Sequence, residues 1–536
     1  FLSNCISSPQ FLFAYMGPSE PLVERGDEQQ STYSSMQASR SDPQLSEQML
    51  KDNKKLPLSD TASATAQFLL FLVVLTPLWL FVLLPFTLVV QLFLYVAGLV
   101  TGKPSKSGKA SKGTADAVDG EEDPASMQPV ATSANTDERM YDIVVFGATG
   151  FTGKMAVMYL ASRYGSTVRW AIAGRRKDAL MQVRAEAAAI NGDLANLPII
   201  IADSSDGASL DAMARQAVCV ITTAGPFDKY GSKLVGSCAR HGTHYCDITG
   251  ETDWVRKMVD QFDELAKKSG ARVVNFCGHD CVPWDLVVSS LSQALKKKGE
   301  SLVEVSFYDE INSAPSGGTM DTVFHSLGNR VKYISKLGFD PLLKSALGSQ
   351  SSNRLVSKTQ SVLGWSKEYK AWVGPFVMAM VMANCVRRSN ALNNYSSRLV
   401  YREAAVYPSF MAGYVNVMGL VLLGTMLFCP PLAWVMRKTV LPAPGQGPSK
   451  EDMDAGFLRV TGFGTGSNGG KVRAVIYFPT DPGYRDTARM LVESGLVLAL
   501  EGDKVRVGGG VWTPAACQGD VLMQRLLATG CSLVVE

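Results

Sequence analysis

The sequence predicts an α/β protein: a Rossmann-like doubly wound parallel sheet with a second α+β domain, preceded by an N-terminal hydrophobic membrane segment. Three observations lead there. Strongly apolar short runs alternate with helix-spaced segments from Tyr141 to about residue 278. Glycines at 147, 150 and 153 sit where the first of those runs meets the first helix. Upstream, residues 66–100 contain no ionisable side chain at all.

Taken in order, residues 1–65 are rich in Ser, Gln, Pro and charge, without a sustained apolar period, and are expected to be disordered. Residues 66–100 ("AQFLLFLVVLTPLWLFVLLPFTLVVQLFLYVAGLV") exceed the roughly 20 apolar residues that cross a bilayer as a helix. Pro77 and Pro85 would kink that helix or turn a membrane hairpin, so the segment reads as a transmembrane or hairpin anchor. Lys103, Lys106, Lys109 and Lys112 follow, which favours a cytoplasmic or stroma-like side for that end. Residues 101–139 have the Lys/Gly/Ser and then acidic composition of a flexible linker.

From Tyr141 the strands "YDIVVFG", "VRWAIAG", "LPIIIAD", "VCVITTAGPF", "HYCDITG" and "ARVVNFCG" are separated by amphipathic stretches, and this defines a dinucleotide-binding domain over 140–290. After about residue 300 the strands lengthen and alternate: "SLVEVSFYDEI", "RLVYREAAVY", "GFLRVTGFGTG" and "KVRAVIYFP". "GSNGG" forms the turn between the last two. This predicts an α+β substrate or closure domain over 291–510, interrupted by a second hydrophobic segment (410–436) best suited to a monotopic helix or shallow hairpin. Residues 511–536 are expected to form a helix returning to the first domain.

Composition narrows the function. A length of 536 residues exceeds one compact core, and a net charge of +3 with both signs dispersed argues against nucleic-acid binding. Ten cysteines lie far apart, mostly in apolar runs, which predicts reduced, buried thiols in a reducing compartment. The first residue is Phe rather than Met, so the chain is expected to be a fragment or processed form whose targeting signal lies outside it.

The chemistry centres on "GATGFTG" (147–153). Gly147 allows a tight turn, Gly150 lets backbone approach a pyrophosphate, and Gly153 lets helix and strand pack closely, with the helix N-terminus facing phosphate. The spacing is one residue longer than the standard fingerprint. The second strand ends "AGRRKD" and places Arg175 and Arg176 where NAD-binding folds carry an acid. Guanidinium groups suit a 2′-phosphate, so NADP(H) is expected rather than NAD(H). The expected cofactor contacts are Gly147, Ala148, Thr149, Gly150, Phe151, Thr152, Gly153, Arg175, Arg176, Asp203, Ala224, Gly225 and Pro226. Further strand ends bring Tyr230, Asp247, Glu251, His279 and Asp280 toward one crevice, of which Tyr230, Asp247, Glu251 and His279 are candidate catalytic groups. Glu251 could instead open the following helix, and Asp247 brace a loop. His244, Cys246, Cys277, His279 and Cys281 match no zinc spacing, so no metal is expected.

"GATGFTG", "AGR" (173–175), "TAGPF" (223–227), "GTHYCDITGE" (242–251), "PSGGT" (315–319), "DPGY" (481–484) and "GGGVWTPAA" (508–516) occur in one order. Together they resemble the saccharopine dehydrogenase-like oxidoreductase family, in its membrane- or lipid-droplet-associated branch, over about residues 141–533. The resemblance implies a nicotinamide cofactor bound through Gly147, Gly150, Gly153 and Arg175. It also places Asp247, Gly250 and Glu251 near the nicotinamide. Some relatives are proposed enoyl reductases acting in trans on lipid-like chains. "GHDCVPWDL" departs from the family pattern, with His279 in place of an aromatic and Cys281 in place of a serine.

The expected activity is therefore a membrane-associated NADP(H)-dependent oxidoreductase acting on a lipophilic small molecule by enoyl or imine-type reduction. The expected location is a lipid droplet or organelle membrane, and a homodimer is one expected assembly. The alternatives are a catalytically inactive nucleotide-binding accessory or scaffold subunit and a nucleotide-sensing regulator.

Overall fold

The computed structural model describes residues 61–100, 128–129, 139–313, 320, 353–439, 441 and 445–536. The expectations for residues 1–60, for nearly all of the 101–139 linker and for "PSGGT" lie outside these. The first described stretch is helical throughout, and the long apolar helix α1 (Thr65–Leu92) occupies its centre. It does not reverse at its prolines. Two π-helical stretches, Phe71–Leu75 and Trp79–Leu83, flank Pro77 and widen the helix where a proline cannot donate to it. The hairpin alternative for 66–100 is therefore not adopted.

The first sheet grows by strand–helix alternation: β1 (Tyr141–Phe146), α2 (Phe151–Arg163), β2 (Trp170–Gly174), α3 (Lys177–Ile190), β3 (Ile199–Ile201), α4 (Gly207–Ala214), β4 (Ala217–Thr222), α5 (Ser232–His241), β5 (His244–Asp247), α6 (Thr252–Ser269) and β6 (Arg272–Val274). Ile143, Val144, Val145 and Val220 are fully buried, as expected for strands covered on both faces. Arg139 fastens the entry to β1 by donating to the carbonyls of Ala214 and His241.

Helix α7 (Val282–Lys297) leads into a second, mixed sheet. Its strands are β7 (Leu302–Asn312), β8 (Arg354–Ser357), β9 (Gly364–Ser366), β10 (Ala371–Gly374), β11 (Arg398–Tyr407), β12 (Phe457–Gly466) and β13 (Lys471–Phe478). Between them lie α8 (Ala379–Asn393), α9 (Phe410–Phe428) and α10 (Pro430–Thr439). β12 and β13 pair antiparallel through the "GSNGG" turn, where Gly469 has φ +86°. The second hydrophobic segment is a helical hairpin broken at Cys429 and Pro430, and α10 folds back along α9.

The chain then returns to the first sheet. α11 (Thr487–Leu500) packs on β1, β4 and β5, and β14 (Gly510–Trp512) pairs parallel with β6. After α12 (Gly519–Ala528), the last strand, β15 (Ser532–Val535), pairs with β13 of the second sheet. The strand orders are β14-β6-β5-β4-β1-β2-β3 and β15-β13-β12-β7-β11-β10-β9, with β8 alongside β11. Two expected boundaries are thus corrected. Residues 487–510 belong with the nucleotide-binding sheet, and the C-terminal segment contributes a strand to each sheet as well as a helix. Buried Glu493 on α11 explains part of that return. It accepts from Tyr159 and Tyr164 on the α2 side and from Arg525 on α12, so three elements meet on one carboxylate. One continuous apolar core, from Ile143 in β1 to Leu458 in β12, runs between the sheets.

The nine described cysteines are free and buried, as expected for reduced thiols.

Candidate active site

The winding of the first sheet reverses between β1 and β4, and at such a point the crevice beyond the carboxyl ends of the strands is left open. Gly147 turns the chain there with φ +82°, a left-handed conformation that side chains disfavour. Gly153, in the first turn of α2, lies so close to that turn that a Cβ would stand 2.2 Å from the Gly147 carbonyl oxygen. Gly150 differs. It precedes α2 with extended backbone, and a Cβ would meet only Gly147 O, at 3.4 Å. The first and third glycines are thus required by the fold itself, while the middle one keeps an open face. Ala148 is fully buried in the core, so its side chain cannot reach a ligand. Thr149 and Thr152 are half-buried beside the turn. Phe151 points at the other half of the molecule, with its ring edge-on to Tyr484 at 5.1 Å and under Gly447.

Arg175 and Arg176 follow β2, exposed, and neither guanidinium donates a hydrogen bond among the described residues. Asp203, after β3, accepts from the Ser205 amide (2.8 Å) and hydroxyl (2.7 Å). These bonds, with Arg175 nearby, hold its carboxyl below the usual range. The segment 223–226 faces the glycine turn. Thr223 Oγ1 donates to Gly147 O at 3.3 Å, and Ala224 N donates to Thr222 Oγ1. Gly225 and Pro226 continue this wall into a short helix, Phe227–Tyr230. An open glycine face, an uncapped helix N-terminus and two exposed guanidinium groups at the second strand fit a pyrophosphate and a 2′-phosphate.

The candidate catalytic groups are divided by their partners. Asp247 is wholly buried and accepts four hydrogen bonds: from Thr249 N and Phe276 N on one oxygen, and from Tyr245 Oη and Asn275 Nδ2 on the other. Burial lifts its carboxyl to about 6 against the pull of those donors. Glu251 accepts from Phe227 N (2.7 Å) and Asp228 N (2.8 Å), one on each oxygen. Both carboxylates therefore brace loops; Glu251 holds the start of the Phe227–Tyr230 helix rather than opening its own. Tyr230 is half-buried at the end of that helix, with Lys229 Nζ 4.7 Å from its ring centre.

His279 is different. Its Nδ1 lies 3.0 Å from Asp280 Oδ1, its backbone N–H donates to Thr487 Oγ1, and its Nε2 is buried with no partner among the described residues. The ring packs edge-on to Trp284 at 5.6 Å, and Trp284 packs on Phe376 at 5.9 Å. Gly250 is surrounded by Asp280, Val381 and Met378, whose nearest atoms would stand 3.7–3.8 Å from a Cβ placed there. The apolar stretch "PFVMAMVM" (375–382), where β10 gives way to α8, carried no signal in the sequence because its neighbours here are some 90 residues or more away. Met380 and Val377 at its rim are 57% and 65% exposed. No group of three or more His, Cys, Asp or Glu side chains among the described residues is arranged to hold a metal ion.

Residues 143–274 match the family model of the saccharopine dehydrogenase NADP-binding domain. The chain is 35% identical over 421 residues to a candidate trans-acting enoyl reductase of Mycobacterium tuberculosis, a match covering 74% of this chain and 97% of that one. It is 34% identical over 427 residues to a trans-acting enoyl reductase of Mycobacterium bovis, covering 73% and 97%. Among solved structures, saccharopine dehydrogenase of Saccharomyces cerevisiae aligns with a TM-score of 0.42 and 12% identity, over 73% of this chain and 99% of that one. The chain belongs to the saccharopine dehydrogenase-like oxidoreductase family, with NADP(H) as its cofactor.

Proposed function

We propose that this chain is a membrane-associated, NADPH-dependent reductase of a polarised carbon–carbon double bond in a lipophilic, acyl-chain-like substrate. One observation carries the reading: beyond the carboxyl end of β6 stands a histidine–carboxylate pair, His279 and Asp280, whose ring nitrogen Nε2 is buried without a partner among the described residues, and Met378 and Val381 lie beside the same carboxylate. Apolar side chains such as Met378 and Val381 suit a hydrocarbon chain, and Nε2 is where a proton can be held for transfer. The relatives named enoyl reductases carry out a chemistry that needs such a donor.

When bound, NADPH supplies the hydride. The amides of Phe151, Thr152 and Gly153 in the first turn of α2 would hold its pyrophosphate, and Arg175 with Arg176 would hold the 2′-phosphate. Asp203, Ala224, Gly225 and Pro226 shape the wall beside it, and Glu251 keeps that wall in register. Asp280 accepts from His279 Nδ1–H, which orients the ring and leaves Nε2 to carry the proton delivered to the substrate carbon. Phe376 and Trp284 exclude water around the ring. Membrane association rests on α1 and α9, the two described helices long and apolar enough to cross a membrane. It would let the substrate partition before it enters.

The test is NADPH oxidation by the full chain in detergent with 2-enoyl thioesters of graded length. Oxidation that rises with chain length, and falls about 100-fold or more in His279→Ala with NADPH affinity unchanged, is the expected result. Tight NADPH binding without turnover on any of them would favour the accessory reading, for which the structural engagement of both Asp247 and Glu251 speaks.

A further inference from the structure

We propose that Asp309 and Glu403 share a single proton, and that the pair so formed is a positioning element for His279, holding its ring through Trp284. The proposal rests on the reading of His279 as proton donor and names what keeps that donor in place.

The second sheet sets up the pair. β7 and β11 run parallel, with Glu403 opposite Phe307 and Ala405 opposite Asp309. Asp309 and Glu403 therefore project from the same face, beside the rings of Phe307 and Tyr401, whose centroids are 5.6 Å apart in the core. Both carboxyls are wholly buried, at 0% and 1% exposure, and they lie within hydrogen-bonding reach of each other. No cation among the described residues pairs with either. Arg402, next along β11, belongs to the opposite face, where it is engaged by Glu304.

Each carboxyl is half satisfied. Asp309 Oδ1 accepts from Trp284 Nε1 at 3.0 Å, and Glu403 Oε2 accepts from Tyr401 Oη. Asp309 Oδ2 and Glu403 Oε1 are buried with no donor among the described residues. Two carboxylate anions side by side, away from water and without a cation, would repel strongly. One proton between the two orphaned oxygens gives both a partner and removes one of the two charges. Burial, joined for Asp309 by the facing Glu403, raises both carboxyls above the usual range, in agreement with a retained proton.

Trp284 carries the pair's influence to the site. It stands in the first turn of α7, fully buried, between His279 on one side and Phe376 on the other. Its N–H has Asp309 as partner, so the tilt of the indole against the imidazole follows that carboxyl. The other group on the imidazole, Asp280, has a side chain one-third exposed, where water competes for it. The indole is therefore the dry wall that fixes the ring, and the shared proton is what lets two acids sit behind that wall.

The test uses the full chain in detergent. Infrared spectra near neutral pH compare the parent with Glu403→Gln and Asp309→Asn. The parent is expected to show the carbonyl stretch of one carboxylic acid that both variants lack, because an amide N–H stands in for the shared proton. Labelling the four histidines with carbon-13 reads the ring itself by magnetic resonance. The His279 signal, identified by its loss in His279→Gln, should move in Asp309→Ala and return in Asp309→Asn, whose amide oxygen still accepts from Trp284. The His241 and His244 signals should stay in place. With 2-enoyl thioesters, kcat should fall about tenfold or more in Asp309→Ala, with KM within about twofold of the parent's. Trp284→Phe keeps an aromatic ring and drops the N–H; it should act likewise, and it decides the matter if the alanine variant does not fold. Absence of the acid band from the parent, or its persistence in both amide variants, would overturn the shared proton. A His279 signal indifferent to both Asp309→Ala and Trp284→Phe would overturn the positioning role. A parent that turns over no enoyl thioester would sink the reductase reading by itself, and the infrared and histidine signals would still decide the pair.

Discussion

The two glycines at either side of Phe151 should fail in opposite ways when a methyl group is added. In Gly153→Ala the new Cβ would stand 2.2 Å from Gly147 O and 2.9 Å from both Gly147 C and Thr223 Oγ1. Two of those atoms are backbone and cannot rotate away, so α2 must move by about 1 Å to restore ordinary contact. It is not free to do so, because Ala156, Val157 and Leu160 on its inner face are fully buried and α11 packs alongside. Overpacking of this kind costs about 1–3 kcal/mol, and a backbone clash belongs at the upper end, which lowers the melting temperature by roughly 4 °C. In Gly150→Ala the methyl group meets only Gly147 O at 3.4 Å, and the residue's φ of −76° suits alanine. Losing a glycine N-cap costs up to about 1 kcal/mol, so the melting temperature should fall by no more than about 1–2 °C. The methyl group would instead sit on the open face where the pyrophosphate is expected, and NADPH affinity should fall tenfold or more. Calorimetric melting and isothermal titration of both variants give the answer. A Gly153→Ala protein that melts like its parent would refute the close-packing account. A Gly150→Ala protein that binds NADPH undiminished would refute the placement of the phosphates.

Other substitutions probe the remaining roles. Arg175→Ala removes a charge-assisted contact worth about 1.5–3 kcal/mol, so NADPH affinity should drop tenfold or more by titration while NADH affinity stays within about twofold. Glu251→Gln leaves one of the Phe227 and Asp228 amides facing another donor and should destabilise by about 1–3 kcal/mol while keeping most turnover. Lost turnover at unchanged melting temperature would make Glu251 a proton donor instead. Asp247, lifted by burial from 3.8 to about 6, binds its proton more tightly folded than unfolded. Its effect on stability is therefore unfavourable to ionisation: the benefit of the protonated form is present below about pH 4 and lost as pH rises through 6, a change of roughly 3 kcal/mol. The melting-temperature advantage of the parent over Asp247→Asn should shrink across that window, and a difference that grows with pH would refute the assignment.

What the sequence revealed depended on how local the cause was. β1, the glycine turn and α2 are contiguous, and each residue's duty follows from its neighbours, so Gly147 and Gly153 could be assigned before any coordinates. The strand "GVW" of β14 could not, because three residues make a strand only when β6 is beside them. The carboxylates were legible as residues but not as roles. The donors that saturate Asp247 include Asn275 and Phe276, which reach it only because β5 and β6 are adjacent, and those held by Glu251 come from the turn after β4. His279 stood out as a departure from a family pattern, yet its unpartnered Nε2 and its apolar neighbours from residues 376–381 are products of tertiary packing.

The late return of the chain to its first sheet has a consequence for biosynthesis. Gly510 pairs with Arg272, about 240 positions earlier in the chain. At a synthesis rate of about 5–20 residues per second, the β6 edge waits on the order of 10–50 s for its partner. Throughout that interval the face later covered by α11, including Ile143, Cys219 and Ile221, stands uncovered, and the adhesive hairpin of α9 and α10 emerges from the ribosome before the cover does. A nascent chain in this condition is a client for a chaperone or for immediate capture by a lipid surface, and its order of synthesis makes late truncations far more damaging than their distance from the glycine turn would suggest.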